Sequence, residues 1–107
     1  MCQCATSKVP IEITIDAFRT SYNDGDLLID CRTEQEYEQG HLKDAVLLPM
    51  QHLSVRFQTL VQHLDEPVYI YCNSGNRSAT FARYLRTLGH TNSQSISGGY
   101  EAWGDPC

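Results

Sequence analysis

The sequence is poor in positive charge and contains no long apolar run. Of its 107 residues, 8 are Lys or Arg and 13 are Asp or Glu, which gives a net charge of −5 at pH 7. The few basic residues are scattered along the chain, and this distribution argues against a surface that binds nucleic acid. No stretch approaches the roughly 18 apolar residues that a membrane-spanning helix needs. We therefore expect a soluble protein whose partners include neither nucleic acid nor a membrane.

The beginning of the chain lacks the pattern of a secretory leader. Residues 1–8 contain no apolar segment, so we expect a flexible N-terminus and a cytoplasmic protein, or a periplasmic one if a leader was removed ahead of residue 1. The five cysteines are an odd number, and their spacing matches neither a disulfide framework nor a zinc site. Reduced thiols, without a metal or a cofactor, are the simplest interpretation.

The sequence does contain a regular alternation of strand and helix patterns. Runs of β-branched and aromatic residues predict strands, and apolar residues spaced three and four apart predict amphipathic helices. The predicted strands cover residues 9–13, 27–31, 45–48, 68–72 and 91–97, and the predicted helices cover residues 15–22, 33–40, 53–64 and 78–88. This alternation predicts one α/β domain over residues 9–107, with a central, mostly parallel sheet and helices on both faces.

Cys72 lies at the turn between a buried strand and the helix predicted from Ser78. The small polar residues between them, including Gly75, suit a tight turn that aims backbone N–H groups inward, and the helix N-terminus adds positive potential. A thiol in such a place, close to Arg77, is expected to have a lowered pKa and to act as a nucleophile. Ligands of parallel α/β sheets bind at the carboxyl ends of strands, so residues 30–32 are expected at the same site.

Several side chains near this end of the sheet are interpreted as scaffold. Thr33 and Glu36 have the spacing of a capping box, and Gly40 is placed to end that helix. Arg32 and Glu36 could pair across this turn, and we interpret such a contact as scaffold rather than as part of the chemistry. We expect His41 to brace its loop through a hydrogen bond rather than to act as a base.

In the last third of the chain, apolar side chains are assigned to the core. Phe81, Leu85 and Leu88 are expected to bury one face of the predicted helix, which Gly89 ends. Trp103 is expected to anchor the final helical turn against the core.

Three stretches of the chain resemble the rhodanese-type sulfurtransferases. The segment Cys72-Asn73-Ser74-Gly75-Asn76-Arg77-Ser78 resembles their active-site loop and comes close to that of the small phage-shock-protein-E type. Residues 30–37 and 40–45 are similar to the family's Asp-Val-Arg … Glu-Tyr … Gly-His-Ile … Gly-Ala segment, and residues 98–103 to its closing Gly-Gly … Trp. The resemblance covers nearly the whole chain. It implies the three-layer rhodanese-like fold and a thiosulfate sulfurtransferase.

The mechanism that the resemblance implies is double displacement through Cys72. A small sulfur-containing anion such as thiosulfate gives its outer sulfur to the cysteine as a persulfide. Cyanide or a cellular thiol, such as thioredoxin or glutathione, then accepts that sulfur. The loop N–H groups stabilise the persulfide, Arg77 attracts the anionic donor, and the Ser78 hydroxyl caps the helix or bonds the sulfur. The expected substrate-binding residues are Asn73, Ser74, Gly75, Asn76, Arg77 and Ser78.

Two other interpretations of the loop stay open. A phosphatase or arsenate reductase of related architecture also uses a cysteine in a cup of amides. Those enzymes have the pattern Cys-x5-Arg, whereas Cys72 and Arg77 form Cys-x4-Arg, a tighter loop that favours one sulfur atom. A non-catalytic binding module is the other alternative, although such a module has no need to retain a nucleophile.

Cys31 departs from the aliphatic residue that the family more often carries at this position. If its strand neighbours that of Cys72, the two thiols lie close together. The favoured interpretation is that Cys31 is a buried packing residue, and a protective disulfide with Cys72 is the alternative. Cys2, Cys4 and Cys107 lie near the termini and are assigned no function.

Overall fold

The computed structural model of the protein describes residues 10–49 and 65–103. Within each of these two ranges, strands and helices alternate along the chain, as the sequence predicts. The strands are β1 (Glu12–Ile13), β2 (Leu27–Asp30), β3 (Val46–Leu47), β4 (Val68–Tyr71) and β5 (Ser93–Ile96), and the helices are α1 (Ile15–Ser21), α2 (Glu34–Gln39), α3 (Asn76–Thr87) and α4 (Gly99–Trp103).

The described strands form one parallel sheet in the order β1-β5-β4-β2-β3. β4 lies at its centre and is buried along its whole length, which explains its run of β-branched and aromatic residues. β2 pairs with β4 so that Ile29 lies opposite Ile70 and Asp30 lies opposite Tyr71. The residues that follow, Cys31 and Cys72, therefore leave the sheet side by side.

Helices cover both faces of the sheet. On one face, Phe81 and Leu85 of α3 are completely buried against apolar side chains of β2 and β4. On the other face, the ring centroid of Phe18 in α1 lies 5.0 Å from that of Tyr69 and 5.9 Å from that of Trp103. The predicted three-layer α/β fold is confirmed, and so is the anchoring of the last helix by Trp103.

The connection from β2 to α2 follows its sequence pattern. Thr33 and Glu36 form the predicted capping box, and Gly40 ends the helix. The His41 Nδ1 atom lies 2.9 Å from the Tyr37 carbonyl oxygen, and the two rings stack with centroids 3.7 Å apart. His41 thus braces the loop after α2, as expected.

Two predictions for α3 are wrong. The helix begins at Asn76 rather than Ser78, because Gly75 adopts a left-handed conformation with φ of 104° and serves as the N-cap. Leu88 is 47% exposed rather than buried, and it lies just past the last helical residue as the C-cap. Gly89 follows with φ of 101° and ends the helix as expected.

The two edge strands are shorter than predicted: β1 and β3 each contain two residues. Each of them pairs with a single neighbouring strand. The predicted flexible segment 1–8 and the predicted helix over 53–64 lie outside the described residues, as do Cys2, Cys4 and Cys107. In the part of the chain that the structure describes, no helix is long and apolar enough to cross a membrane.

Candidate active site

Cys72 directly follows β4, and its side chain is 1% exposed. Its Sγ accepts hydrogen bonds from the Gly75 N–H at 3.0 Å and from the Ser78 N–H at 3.4 Å. The Ser78 Oγ lies 3.5 Å from the same sulfur. The loop thus wraps the sulfur with donors from the turn and from the first turn of α3, where the helix dipole favours negative charge.

Gly75 gives this loop its shape. Its left-handed φ suits glycine, and a Cβ at this position would lie 3.2 Å from the Gly98 N atom. The Gly75 carbonyl accepts a hydrogen bond from the Ser78 Oγ at 3.2 Å. The Ser78 Oγ also lies 2.7 Å from the Ser95 Oγ of β5, so the neighbouring strand holds the hydroxyl beside the sulfur.

The α4 helix supports the loop through backbone contacts. The Cys72 carbonyl accepts from the Tyr100 N–H at 2.8 Å, and the Asn73 carbonyl accepts from the Glu101 N–H at 3.0 Å. Gly99 makes this approach possible, since a Cβ on it would lie 2.2 Å from the Cys72 carbonyl oxygen. Any larger residue at 99 therefore displaces the loop or the helix.

The surroundings of Cys72 favour its thiolate. The Cys31 thiol donates a hydrogen bond to the Cys72 sulfur, and this bond, followed by those from Ser78 and Gly75, lowers the pKa of Cys72 against the opposing effect of burial. The same hydrogen bond and burial raise the pKa of Cys31. The two pKa values are thus shifted apart, that of Cys72 downwards and that of Cys31 upwards. Both thiols are free, so the structure contains no disulfide between them.

The end of β2 is held by a buried ion pair. Asp30 is fully buried and Arg32 is 3% exposed, with the Arg32 Nη2 2.8 Å from the Asp30 Oδ2 and the Nε 3.0 Å from the Oδ1. The Tyr71 hydroxyl donates to the Asp30 carboxylate at 2.7 Å. The Arg32 guanidinium also stacks on the Tyr100 ring, 4.4 Å from its centroid, and donates to the Asn73 Oδ1 at 3.2 Å.

The predicted pairing of Arg32 with Glu36 is wrong, because the buried Asp30 carboxylate takes Arg32 instead. The Glu36 carboxylate lies 3.6 Å from the Arg77 Nη1 and also accepts a hydrogen bond from the Asn73 side chain. The Thr33 backbone bond, with smaller contributions from Asn73 and Arg77, lowers the pKa of Glu36. An ionised carboxylate and a guanidinium therefore lie side by side at the rim of the loop.

The predicted site residues occupy three different positions around the sulfur. Gly75 and Ser78 contact it directly. Asn73 directs its side chain to Arg32 and Glu36 below the loop. The remaining three, Ser74, Asn76 and Arg77, lie at the outer side of the loop with exposed or half-buried side chains.

The sequence predicted that Asp30 and Arg32 lie near the site. It did not predict the residues of other strands and of α4 that hold the site in place. Tyr71, Ser95 and Gly99 bind or pack against the site from β4, β5 and α4. Tyr71 and Ser95 look like ordinary core positions in the sequence. The glycine pair at positions 98 and 99, where α4 begins, was the available signal, since a glycine that opens a helix often permits a close backbone approach.

The comparison with known protein families agrees with the geometry. A model of the Rhodanese-like domain matches residues 14–105, which include both strand ends and the whole Cys72 loop. The chain belongs to the rhodanese-like domain family. Within residues 10–49 and 65–103, this rhodanese-like chain has no group of three His, Cys, Asp or Glu residues that could hold a metal ion.

Individual relatives of this rhodanese-like chain include both named and uncharacterised proteins. It is 36% identical over 92 residues to the uncharacterised protein YqhL of Bacillus subtilis, covering 86% of this chain and 71% of that one. It is 39% identical over 77 residues to a protein of Allochromatium vinosum named Sulfurtransferase, covering 72% and 70%. It is 30% identical over 70 residues to Thiosulfate sulfurtransferase PspE of Escherichia coli, covering 65% and 67%.

Among solved structures, a rhodanese-like domain protein of Staphylococcus aureus superposes with a TM-score of 0.76 and 29% identity. The match covers 88% of this chain and 91% of that one. The likeness extends over nearly the whole of both chains, so it includes the sheet and the helices that place the Cys72 loop.

Proposed function

We propose that the protein is a sulfurtransferase that carries sulfane sulfur as a persulfide on Cys72, with thiosulfate as a donor. One observation carries the proposal: at the end of the central strand, the Cys72 sulfur accepts hydrogen bonds from two backbone N–H groups of the loop. These bonds favour the thiolate, which is the form that attacks a sulfur atom. The relatives named as sulfurtransferases support the same activity.

In the first half-reaction, the Cys72 thiolate attacks the outer sulfur of thiosulfate. A bond forms between the two sulfur atoms, the S–S bond of thiosulfate breaks, and sulfite leaves with the electron pair. The negative charge moves to the outer sulfur of the persulfide, and the loop N–H groups of residues 73–78 stabilise it by hydrogen bonding. No proton has to move in this step, because the nucleophile is already ionised.

In the second half-reaction, a thiophilic acceptor attacks the outer sulfur of the persulfide. Cyanide forms thiocyanate, and a thiol such as glutathione or a thioredoxin cysteine forms a persulfide of its own. The Cys72 thiolate leaves in both cases. The donors from Gly75 and Ser78 stabilise this leaving group as they stabilise the resting thiolate, so one set of hydrogen bonds serves both half-reactions.

Arg77 supplies the positive charge that an anionic donor meets on its approach. Its side chain is 42% exposed at the rim and lies 3.6 Å from the Glu36 carboxylate. That exposed contact is weak, so the guanidinium remains able to attract an anion. We assign Arg77 to the attraction of the donor and the Gly75 and Ser78 amides to the reacting sulfur.

A steady-state assay of thiocyanate formation from thiosulfate and cyanide tests this function. We expect turnover by the parent protein and a loss of at least ~10³-fold in Cys72→Ser, because the nucleophile is gone. Cys107→Ser, which also removes one thiol, is the matched control and should retain the parent rate. For double displacement, we expect plots of reciprocal rate against reciprocal thiosulfate concentration to be parallel lines at several cyanide concentrations.

An equal rate in Cys72→Ser and in Cys107→Ser would contradict the assignment of Cys72. Release of phosphate from an aryl phosphate, without thiocyanate formation, would instead favour the phosphatase interpretation. Absence of both activities in a folded parent protein would favour a binding module.

A further inference from the structure

The second cysteine of the site occupies the position on β2 that faces Cys72. Asp30 pairs with Tyr71 in the sheet, and the Cys31 N–H donates to the Tyr71 carbonyl at 3.0 Å, so Cys31 and Cys72 follow in the same register. Their side chains point to the same face, where both belong to one buried cluster with Ile29. A hydrogen bond between the two thiols raises the pKa of Cys31 and lowers that of Cys72.

This placement is compatible with a bond between the two sulfurs. Neighbouring strands lie about 4.8 Å apart, which is within the ~4.4–6.8 Å between Cα atoms that disulfides span. The side chains are 2% and 1% exposed, so an external thiol reaches this pair of sulfurs less easily than the two reach each other. An aliphatic residue at position 31 would fill the same volume without this chemistry.

The direction of approach suits an attack on a loaded Cys72. Cys31 lies beside Cys72 at the end of the neighbouring strand, in the same buried cluster, whereas Ser74 and Asn76 are exposed at the outer side of the loop. A sulfur atom added to Cys72 extends towards that opening, because the strand side is occupied. The inner sulfur then lies between Cys31 and the added sulfur, which is the arrangement that thiol–disulfide exchange requires.

We propose that Cys31 resolves the persulfide of Cys72, releasing hydrogen sulfide and leaving a disulfide between Cys31 and Cys72. The inference rests on the proposed function, because that function supplies the persulfide. It adds a product, sulfide, and a second state of the site in which Cys72 is blocked until the disulfide is reduced.

The atoms and electrons of this step balance without an added oxidant. The outer sulfur of the persulfide takes a proton from solvent at the opening of the loop, and the Cys31 thiol gives up its proton to solvent. The Cys31 thiolate then attacks the Cys72 Sγ, and the bond to the outer sulfur breaks as hydrosulfide leaves. The sulfane sulfur is reduced to sulfide while the two thiols are oxidised to a disulfide. Two equivalents of an external thiol, or one dithiol, then reduce the disulfide and restore the pair.

Loading itself prepares this step. In the resting site the Cys72 thiolate accepts the Cys31 hydrogen bond and so keeps the proton on Cys31. When Cys72 carries a second sulfur, the charge lies one atom further out and the inner sulfur is neutral. The main cause that holds the proton on Cys31 is thereby removed, and Cys31 becomes a nucleophile only after loading.

The test uses the full chain with Cys2, Cys4 and Cys107 replaced by Ser, so that the two thiols of the site are the only ones present. The reduced protein is incubated with thiosulfate alone, alkylated and analysed by intact mass and peptide mapping, while released sulfide is measured. We expect one equivalent of sulfide per chain and a peptide pair joined by a Cys31–Cys72 disulfide. The added sulfur should not persist.

Cys31→Val and Cys31→Ser are the decisive variants, since one fills the volume and the other keeps a polar hydrogen-bond donor. Both should retain one added sulfur atom on Cys72 and release no sulfide, and cyanide should still remove that sulfur. Far-ultraviolet circular dichroism checks that both fold. In the parent, a dithiol added after sulfide release should restore a second round of loading.

The possible failures are distinct. A stable persulfide in the parent and in both variants, without sulfide release, would overturn the resolving role of Cys31 and leave the proposed function intact. No added sulfur and no sulfide in any of the three proteins would overturn the proposed function and this inference with it. Sulfide release at the parent rate from both Cys31 variants would assign the release to another route.

Discussion

The neighbouring strands β2 and β4 end side by side, and a cysteine follows each of them, yet the two strand ends are built differently. At the end of β2, the buried side chains of Asp30 and Arg32 hold the chain in place. At the end of β4, the backbone carbonyls of Cys72 and Asn73 accept hydrogen bonds from α4.

This difference explains why the two thiols differ. The polar groups at the end of β2 are engaged with one another, and Cys31 is left among apolar neighbours as a donor. The loop after β4 turns its free N–H groups towards Cys72. Side chains therefore hold the end of β2, whereas backbone contacts hold the end of β4. The charge on Cys72 is stabilised by the loop N–H groups together with the Cys31 and Ser78 side chains.

The largest expected effect comes from breaking the end of β2. Asp30→Asn leaves the Arg32 guanidinium buried without a counter-charge, and we expect the free energy of unfolding to fall by about 3–5 kcal/mol. Urea denaturation measures this change. Glu36→Gln is the matched control, because it keeps the capping box but removes the exposed ion pair with Arg77, and it should cost only about 0–1 kcal/mol. Equal losses in the two variants would contradict the assignment of rigidity to the buried pair.

Breaking the backbone support at the end of β4 should have a smaller effect on stability and a clear effect on activity. Gly99→Ala puts a methyl group 2.2 Å from the Cys72 carbonyl oxygen, and the resulting displacement should cost about 1–3 kcal/mol and reduce thiocyanate formation. Gly25→Ala is the control, since Gly25 also has a positive φ but has nothing within 4 Å of a Cβ. A comparable loss of activity in Gly25→Ala would show that strain alone, and not the contact with the loop, was responsible.

The smallest expected effect comes from removing one hydrogen-bond donor to the Cys72 thiolate. Ser78→Ala removes the hydroxyl that lies 3.5 Å from the Cys72 sulfur, so the pKa of Cys72 should rise towards its ordinary value. We expect the midpoint of the pH–rate profile of persulfide formation to move up by about one unit, in line with the loss of one hydrogen bond to a charged group. Ser97→Ala, which removes a hydroxyl bonded to Glu12 instead, should leave the midpoint unchanged. The two variants are compared by stopped-flow mixing with thiosulfate.

The sequence predicts most of the fold because its signals are local. The capping box of Thr33 and Glu36 and the glycine that ends α3 depend on residues within a few positions of each other. The start of α3 was misplaced because the apolar period begins later than the helix, and Gly75 caps it through its backbone conformation rather than a side chain. Such a cap leaves little trace in a pattern of apolar residues.

The part of the candidate site that was predicted also depends on local signals. Cys72, Gly75 and Ser78 lie in one short segment, so the loop and its nucleophile could be inferred directly. The partners of Asp30 and Ser78 could not, since Tyr71 lies 41 residues from Asp30 and Ser95 lies 17 residues from Ser78. The wrong pairing of Arg32 with Glu36 has a similar origin, because spacing alone does not reveal that Asp30 is buried beside the guanidinium.

The central claim is that the loop holds Cys72 as a thiolate while Cys31 keeps its proton. An ultraviolet titration of thiolate absorbance tests it, with Cys2, Cys4 and Cys107 replaced by Ser and Cys72→Ser as the reference. A lowered pKa keeps a group charged as the pH falls, so one thiolate should persist well below the ordinary thiol pKa of about 8.5 and disappear only on further acidification. The other thiol should remain protonated above that value. Two midpoints near the ordinary value would contradict the account.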